Sequence, residues 1–168
     1  SGNNQIIRNN VVKNIRAISG YITSGIYVGV GGANNQVYNN MVYDINSISI
    51  QSNSRLAGIY LAYQTNPKIY YNSVYLLGGG ATPLGSAALY IYTNCTNIDA
   101  KNNIFVNTRD ESTYCASSIY DYSTSNLTTD YNDLFYQSNS NNALARIGNT
   151  KYNTLTDWQT TGNDVHSV

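Results

Sequence analysis

A short block with fixed internal spacing occurs four times in this chain of 168 residues. In each copy a tyrosine follows an aliphatic residue, and an asparagine lies 12 residues after the tyrosine. The tyrosines are Tyr27, Tyr60, Tyr90 and Tyr120, and the asparagines are Asn39, Asn72, Asn102 and Asn132, with Asn9 in a partial earlier copy. Only the segment from each asparagine to the next tyrosine varies in length. A period of about 30 residues with one constant and one variable half is typical of a solenoid.

The residues around each tyrosine alternate as a half-buried β-strand requires. Ile26 and Val28 flank Tyr27, and the copies at Tyr60 and Tyr90 repeat this order of aliphatic and aromatic residues. Successive side chains of a strand point to opposite faces of its sheet. We therefore expect the aliphatic column to lie inside the solenoid and the tyrosine column to lie outside it.

Each repeat contains two further segments that are typical of strands. One segment runs into the asparagine, as at residues 36–38 and 68–71, and the other leaves it, as at residues 41–45 and 104–106. In the segment that leaves the asparagine both side-chain columns are apolar, so alternation does not determine which column faces inward. Helical solenoids are disfavoured because asparagine, glycine and β-branched residues are poor helix formers. The sequence predicts an all-β solenoid with three short strands per coil, stacked about 4.8 Å apart.

The starts and turns of these repeats resemble the right-handed parallel β-helix superfamily, the pectate-lyase-like fold. The turns that carry the resemblance are Asn9-Asn10-Val11, Asn39-Asn40-Met41, Asn72-Ser73-Val74, Asn102-Asn103-Ile104 and Asn132-Asp133-Leu134. In that superfamily a turn asparagine stacks on its counterpart in the next coil. The resemblance therefore implies an asparagine ladder made of Asn9, Asn39, Asn72, Asn102 and Asn132. It implies about five coils, which we place in residues 1–148.

The C-terminal segment, residues 149–168, departs from the repeat and is predicted to cap the solenoid. Residues 152–159 favour a short helix with Thr154 as its N-cap. The segment resembles the closing element that follows β-helices in secreted bacterial proteins. The chain has neither a starting methionine nor a signal peptide. We therefore expect it to be a piece of a larger protein.

Composition excludes several classes of function. The chain has 9 basic and 9 acidic residues, so it has no excess of positive charge with which to neutralise nucleic-acid phosphates. No apolar run approaches the 18 residues of a transmembrane helix, so we expect no membrane insertion. The asparagine-rich, lysine-poor composition favours an extracellular or cell-surface location, and the resemblance to secreted bacterial β-helices implies a bacterial source. Cys95 lies just beyond the tyrosine strand of one copy, and Cys115 lies just before that of the next copy. Such a strand is roughly 20 Å long, so the two cysteines can pair only if the connecting loop folds back.

The outward tyrosine column is the candidate ligand-binding surface. Exposed aromatic rings on a flat sheet can stack on sugar rings, and their hydroxyls can form hydrogen bonds. The alternative is that the rings stabilise one another across neighbouring strands, and the two roles are compatible. The column comprises Tyr27, Tyr60, Tyr90 and Tyr120, and it is widened two positions later by Tyr92 and Tyr122.

One buried ion pair is predicted close to the C-terminal cap. Asp121 lies in an inward column that is otherwise aliphatic, and we assign Arg146 to the next position of that column. A carboxylate inside a core needs a partner, so the two side chains are expected to pair.

Three charged residues are the catalytic candidates. Asp99 and Asp130 lie in neighbouring coils before the asparagine turns, and Lys101 is close to Asp99. In lyases of the resembled superfamily, acids bind Ca²⁺ and an arginine or lysine acts as the base, so Ca²⁺ is expected only if the chain is such a lyase. No other cofactor or metal is predicted. His166 lies beyond the repeats, which argues against a histidine-based triad or metal site.

These observations favour a non-catalytic extracellular β-helix that acts as a rigid, adhesive or glycan-binding segment of a larger secreted protein. Its expected partners are a polysaccharide or cell-surface glycan, neighbouring domains of the same chain, or stacked copies of itself. One alternative is an enzyme of the polysaccharide lyase or glycoside hydrolase type, which needs acids and a base converging on one groove. Another is a self-assembling filament subunit, which would be recognised by its oligomeric state.

Overall fold

Equivalent strands of successive repeats pair side by side in the computed structural model, which describes residues 2–48, 51–79, 83–110, 115–123 and 126–168. Tyr27, Tyr60, Tyr90 and Tyr120 occupy one register position of four neighbouring parallel strands. The chain is a parallel β-solenoid, as the repeat predicts, with about four turns where about five coils were expected.

The strands are short, and we number them in chain order. Those of the first half are β1 (Ile6–Arg8), β2 (Val11–Val12), β3 (Ile15–Ala17), β4 (Ile22–Val28), β5 (Gly32–Ala33), β6 (Gln36–Tyr38), β7 (Met41–Tyr43), β8 (Ile45–Ser47), β9 (Arg55–Leu61) and β10 (Gln64–Thr65). Those of the second half are β11 (Lys68–Tyr70), β12 (Ser73–Leu76), β13 (Ser86–Ile91), β14 (Ile98–Lys101), β15 (Ile104–Asn107), β16 (Ala116–Asp121), β17 (Leu127–Asp130), β18 (Asp133–Tyr136), β19 (Ala143–Ile147) and β20 (Thr150–Tyr152).

Three main sheets run along the solenoid, which confirms the prediction of three strands per coil. The tyrosine sheet has the order β4-β9-β13-β16-β19, with β20 antiparallel to β19. The entry sheet, β1-β6-β11-β14-β17, runs into the asparagine turns, and the exit sheet, β2-β7-β12-β15-β18, leaves them. Two pairs, β3-β8 and β5-β10, lie between the main sheets in the early turns.

The core lies in the space that the three sheets enclose. The tyrosine sheet contributes a column that includes Ile59, Leu89 and Ile119, and the exit sheet contributes one that includes Val74 and Phe105. All five side chains are at most 1% exposed. Each coil alone would leave this apolar surface open, so stacking of coils supplies the burial that stabilises the fold.

A ladder of buried asparagine side chains runs through the turns between the entry and exit sheets. Each amide nitrogen donates to the amide oxygen of the asparagine in the next coil, over distances of 2.9–3.0 Å. The ladder consists of Asn10, Asn40, Asn72, Asn103 and Asn132. Asn72 and Asn132 are therefore ladder residues, as predicted, whereas Asn102 is not. Asn9 and Asn39 lie outside this buried ladder, although Asn39 Nδ2 donates to Asn9 Oδ1 at 2.7 Å, so these two do stack between coils as predicted.

The three predicted asparagines that are not part of the buried ladder lie one residue before it. Asn9, Asn39 and Asn102 have positive φ angles of 58°, 54° and 56°, and they share this corner position with Tyr71 and Tyr131. Asparagine adopts the left-handed conformation more readily than most residues, so the corner also selects it. The separation from tyrosine to ladder asparagine is 12 residues in two coils and 13 in the other two. The prediction assumed a constant 12 residues between the tyrosine and the ladder asparagine. In the coils with two adjacent asparagines this assumption led to the corner residue and not to the ladder residue.

Two shorter rows of amide side chains accompany the ladder. At the opposite corner, Asn126 donates to Asn97, Asn97 to Asn66, and Asn66 to Asn34, and these amides are solvent-exposed. Buried Asn35 donates to Gln64 at 2.8 Å in the same region. The asparagine-rich composition thus satisfies turn backbone and side-chain groups at more than one corner of each coil.

Asp164 ends the buried ladder at its C-terminal side. Its carboxylate is fully buried and accepts hydrogen bonds from Asn132 Nδ2 at 2.7 Å, Trp158 Nε1 at 2.7 Å and Ser167 Oγ at 2.5 Å. The Thr129 hydroxyl is a fourth donor. A carboxylate only accepts hydrogen bonds, so it closes a chain of amide donors without leaving a hydrogen unpaired.

Replacing Asp164 by asparagine is expected to lower the free energy of unfolding by about 2 kcal/mol. In the variant, the side-chain N–H bonds of the new asparagine would point at groups that are themselves donors and that, in wild type, donate to a carboxylate oxygen. Urea unfolding of the variant measures the change, and Asp133→Asn, at an exposed carboxylate, is the matched control. Equal stability of the Asp164 variant and wild type would show that the carboxylate is not needed to end the ladder.

The C-terminal segment forms one short helix, α1 (Leu155–Gln159). The Thr154 side chain accepts from the Asp157 amide, and the Asp157 carboxylate accepts from the Thr154 amide, so the predicted N-cap is confirmed as part of a capping box. Trp158 is fully buried against the last coil, with its ring 5.3 Å from that of Tyr152. In the described part of the chain no helix is long and apolar enough to cross a membrane.

Candidate functional site

The tyrosine column of the tyrosine sheet forms a continuous stack. The ring centroids of Tyr27 and Tyr60 are 5.3 Å apart, those of Tyr60 and Tyr90 5.5 Å, and those of Tyr90 and Tyr120 4.9 Å. Beside it, the rings of Tyr92 and Tyr122 lie 5.3 Å apart. The column belongs to a cluster separate from the main core, as expected for side chains on the outer face of the sheet.

The middle of this stack is closed to solvent, contrary to the prediction of an exposed strip. Tyr60 and Tyr90 are 0% exposed and Tyr120 is 4% exposed, whereas Tyr27 and Tyr122 are 49% and 45% exposed. The rings cover one another, and Arg55 lies across them with its guanidinium carbon 4.2 Å from the Tyr92 ring centroid. Burial raises the pKa of Tyr60 and Tyr90 far above the ordinary value, which keeps both hydroxyls neutral. A sugar ring therefore has no access to the central tyrosines.

Arg146 continues the tyrosine stack and does not face Asp121. It pairs in register with Tyr120, and its guanidinium carbon lies 4.1 Å from the centroid of that ring. The residue opposite Asp121 is Ile147. The predicted ion pair between Asp121 and Arg146 is therefore wrong, because a register shift of one residue moves a side chain to the other face of the sheet.

Asp121 does lie in the inward column, as predicted. Its register partners in successive coils are Ile91, Leu61 and Val28, and its side chain is fully buried. The Ser123 hydroxyl lies 3.3 Å from its carboxylate. The enclosed position of this acid leaves no path by which a polymer could reach it.

The catalytic candidates lie on the outer face of the entry sheet. Lys101 Nζ is 3.1 Å from Asp99 Oδ1, and the Tyr70 hydroxyl donates to Asp99 Oδ2. Lys101 is also the register neighbour of Asp130. Burial and this hydrogen bond to Asp99 together raise the pKa of Tyr70 above its ordinary value. The three candidates are thus close together, but Asp99 and Lys101 neutralise each other.

Asp130 holds the C-terminal segment in place. It accepts from the His166 backbone amide at 2.8 Å, and its Oδ2 lies 2.8 Å from His166 Nδ1. Although burial acts to raise the pKa of Asp130, the hydrogen bonds from His166 and from the Tyr131 amide lower it below the ordinary value. A low pKa suits a carboxylate that anchors a segment and does not suit a general acid. Among the described residues, no three His, Cys, Asp or Glu side chains cluster as a metal site would require.

Cys95 and Cys115 are both buried and unbonded to each other. Cys95 packs in the main core, and its Sγ lies 3.7 Å from the carbonyl oxygen of Thr93. Cys115 Sγ lies 3.6 Å from the carbonyl oxygen of Ala116. Burial raises the pKa of both thiols, so neither is activated as a nucleophile.

An exposed surface of aromatic and aliphatic side chains lies on the exit sheet and the neighbouring corner. We call it the corner face, and it comprises three columns that run along the solenoid. They are the corner column Asn9, Asn39, Tyr71, Asn102 and Tyr131, the column Val11, Met41, Ser73, Ile104 and Asp133, and the column Tyr43, Tyr75, Val106 and Phe135. Tyr71, Tyr131 and Phe135 are each more than half exposed.

Three shallow grooves join along the corner face. One, of about 440 Å³, is lined by residues that include Tyr71, Asn102, Tyr131 and His166. The second, of about 340 Å³, lies between Met41, Tyr75 and their neighbours and is almost wholly apolar. The third, of about 250 Å³, runs from Asn9 to Tyr71. Ile104 lines the first two grooves and Tyr71 lines the first and third, so the three grooves adjoin, and we call them together the trough.

Sequence reasoning missed the corner face as a site, although one signal for it was present. The exit strands have apolar residues in both columns, and only one column can face the core. The inner column is Val12, Val42, Val74, Phe105 and Leu134. The other apolar column of each strand must then face outward, and an exposed row of apolar side chains is typical of an interaction surface.

Comparison of this chain with protein-family models, with curated proteins and with solved structures found no match.

Proposed function

We propose that this chain is a non-catalytic, rigid β-solenoid module that binds an extended, uncharged polysaccharide along the corner face. The observation that carries the proposal is the trough, a row of adjoining grooves whose lining residues come from successive coils. From the resemblance to the pectate-lyase-like superfamily, the proposal takes only the expectation that a β-helix of this kind binds carbohydrate. It also keeps an extracellular or cell-surface location, within a larger secreted protein.

The shape of the corner face favours a chain-like ligand over a protein. Five stacked strands span roughly 20 Å along the solenoid axis, and the three columns, which cover five residues of each coil, span roughly 13 Å across it. The corner face is therefore a strip that is longer than it is wide. A polymer that lies along the solenoid axis needs only a narrow strip, and it can contact one side chain in every coil.

The chemistry of the corner face favours a sugar polymer among chain-like ligands. Aromatic rings such as Tyr75 and Phe135 offer flat apolar surface to the faces of sugar rings. The amides of Asn39 and Asn102 lie at the adjacent corner, where they can form hydrogen bonds with hydroxyl groups. Lys13 and Asp133 lie at opposite ends of the exit sheet, so the centre of the face carries no charge that would select a charged chain.

The catalytic alternative has less support from the arrangement of the acids. Asp99 pairs with Lys101, and Asp130 is engaged by His166. Of these residues only His166 lines the groove at Tyr131. The acids therefore do not converge on the trough in the way that a glycosidase pair flanks its bond.

Affinity electrophoresis in gels that contain neutral polysaccharides tests the proposal. Wild type is expected to be retarded by at least one polysaccharide, and Tyr75→Ser with Phe135→Ser is expected to weaken the binding about thirtyfold, since each ring contributes roughly 1 kcal/mol. Both side chains are exposed, so the double variant should remain folded. Tyr21→Ser is the matched control because Tyr21 is 60% exposed and lies outside the corner face.

Three results would contradict the proposal. Absence of retardation in every polysaccharide gel would leave the chain as a scaffold alone. Concentration-dependent self-association that the double variant abolishes would assign the corner face to a second copy, as in a filament subunit. Depolymerisation of a polysaccharide would make the chain an enzyme, with Asp99, Lys101 and Asp130 as the first residues to replace.

A further inference from the structure

Two cations face each other directly across the hairpin that β19 and β20 form. Arg146 and Lys151 are opposite each other in the antiparallel register, so their side chains leave the same face of the hairpin. Cβ atoms of such a pair are about 5 Å apart, and like charges in this arrangement destabilise a sheet. Both side chains line one pocket of about 320 Å³. The pair lies outside the corner face.

The hydrogen-bonding capacity of these cations is only partly used. Arg146 Nη2 lies 3.4 Å from the carbonyl oxygen of Gly148, and Arg146 Nε has no hydrogen-bond partner among the described residues. A guanidinium offers five N–H donors. Lys151 Nζ donates to the carbonyl oxygen of Asn141, which leaves two of its three hydrogens. The described residues that line the pocket include no carboxylate that would neutralise the two charges.

The remaining walls of the pocket are two tyrosine rings, two asparagine amides, and the side chains of Pro83, Leu84 and Cys115. Tyr122 is 45% exposed, and its ring meets that of Tyr120 edge-on at 6.0 Å. Asn141 and Asn149 contribute polar groups at the rim. A ligand that suits this pocket carries one anionic group for the cations, a flat ring face for Tyr122 and hydroxyls for the amides.

We infer that the Arg146–Lys151 pair and Tyr122 form a binding site for the carboxylate and ring of an acidic sugar. The carboxylate lies between the guanidinium and the ammonium group, where it removes the repulsion between them. Arginine suits this role because its planar fork matches a carboxylate. The ring of the sugar lies on Tyr122.

Titration followed by thermal unfolding tests this inference with four probes: glucuronate, glucose, acetate and inorganic phosphate. Glucuronate is expected to raise the melting temperature and to bind at least about tenfold more tightly than any other probe, because only glucuronate has both the carboxylate and the ring. Lys151→Gln is expected to lose this response. Lys13→Gln is the matched control, since Lys13 lies over a different tyrosine ring, that of Tyr43, at 5.8 Å.

A second expectation concerns the protein without ligand. Lys151→Gln should unfold at the same temperature as wild type or above it, because the substitution removes the cross-strand repulsion. A lower melting temperature of this variant would show that the cation pair is itself stabilising and would overturn the inference. Equal binding of glucose or acetate, tighter binding of phosphate, or an unchanged response of Lys151→Gln would also overturn it.

The site is independent of the proposed polysaccharide surface. The Tyr75→Ser and Phe135→Ser variant should bind glucuronate as wild type does, and Lys151→Gln should bind neutral polysaccharide as wild type does. If the corner-face variant loses glucuronate binding, the acidic sugar occupies the corner face and the hairpin pocket is not its site.

Discussion

Replacing Tyr90 by alanine is expected to lower the free energy of unfolding by about 4 kcal/mol. Tyr90 is fully buried in the middle of the stack, between the rings of Tyr60 and Tyr120. Removing the ring leaves a cavity and exposes two neighbouring faces that now contact it. Urea unfolding measures the loss, and the midpoint should fall without a change in slope.

Two variants separate the role of the buried ring from other effects. Tyr90→Phe keeps the ring and removes a buried hydroxyl that has no hydrogen-bond partner among the described residues, so it should be neutral or slightly stabilising. Tyr27→Ala removes a ring that is 49% exposed, and it should cost about 1 kcal/mol. Equal stability of Tyr90→Ala and wild type would mean that the stack is open to solvent and available to a ligand.

Replacing Asn72 by alanine is expected to cost about 3 kcal/mol, because the substitution interrupts the buried ladder at its centre. The Asn72 oxygen accepts from Asn40 Nδ2 at 2.9 Å, and its nitrogen donates to Asn103 Oδ1 at 3.0 Å and to the carbonyl oxygen of Val37 at 2.9 Å. The variant leaves several of these groups buried and unpaired. Differential scanning calorimetry or urea unfolding measures the loss.

Asn102→Gly is the matched control for the ladder. Asn102 is exposed, and glycine adopts its φ of 56° readily, so the change should alter stability by less than about 0.5 kcal/mol. A large loss for Asn102→Gly together with a small loss for Asn72→Ala would contradict the ladder assignment and favour the register one residue earlier.

The Asn72 and Tyr90 predictions concern stability alone, and they constrain the functional proposals through burial. A surface that binds a polymer must tolerate loss of its side chains without unfolding. Tyr75 and Phe135 meet this condition because they are 43% and 52% exposed, whereas Tyr60 and Tyr90 do not. Substitutions therefore distinguish the two groups: replacing a buried tyrosine should lower stability, whereas replacing an exposed aromatic residue of the corner face should not.

The sequence alone determined the architecture, because a solenoid repeats its local pattern in every coil. Alternation around Tyr27 and its counterparts placed the aliphatic column inside and the tyrosines in register, and both features are present. The C-terminal helix was predictable for the same reason, since the Thr154 cap depends on residues only three positions apart. Local signals of this kind need no knowledge of distant contacts.

Only the tertiary structure decided the registers and the burial on which the site depends. In two of the coils the distance from the tyrosine to the ladder is one residue longer than in the other two. In those two coils the sequence has an asparagine both at the corner and at the ladder position, so it does not show which of the two is buried. Likewise Arg146 and Ile147 are adjacent, and strand pairing alone places Arg146 on Tyr120. Because side chains alternate between faces, one residue of register decides between core and surface.

The exposure of the aromatic residues could not be deduced from strand faces either. Outward direction on the tyrosine sheet predicted exposure, yet Tyr60 and Tyr90 are closed off by neighbouring rings and by Arg55. On the exit sheet both side-chain columns are apolar, so the sequence predicted one apolar outer column but did not identify which of the two columns faces outward. The physical reason is that burial is a sum over contacts from several coils, whereas alternation reports only the direction in which one side chain leaves its strand.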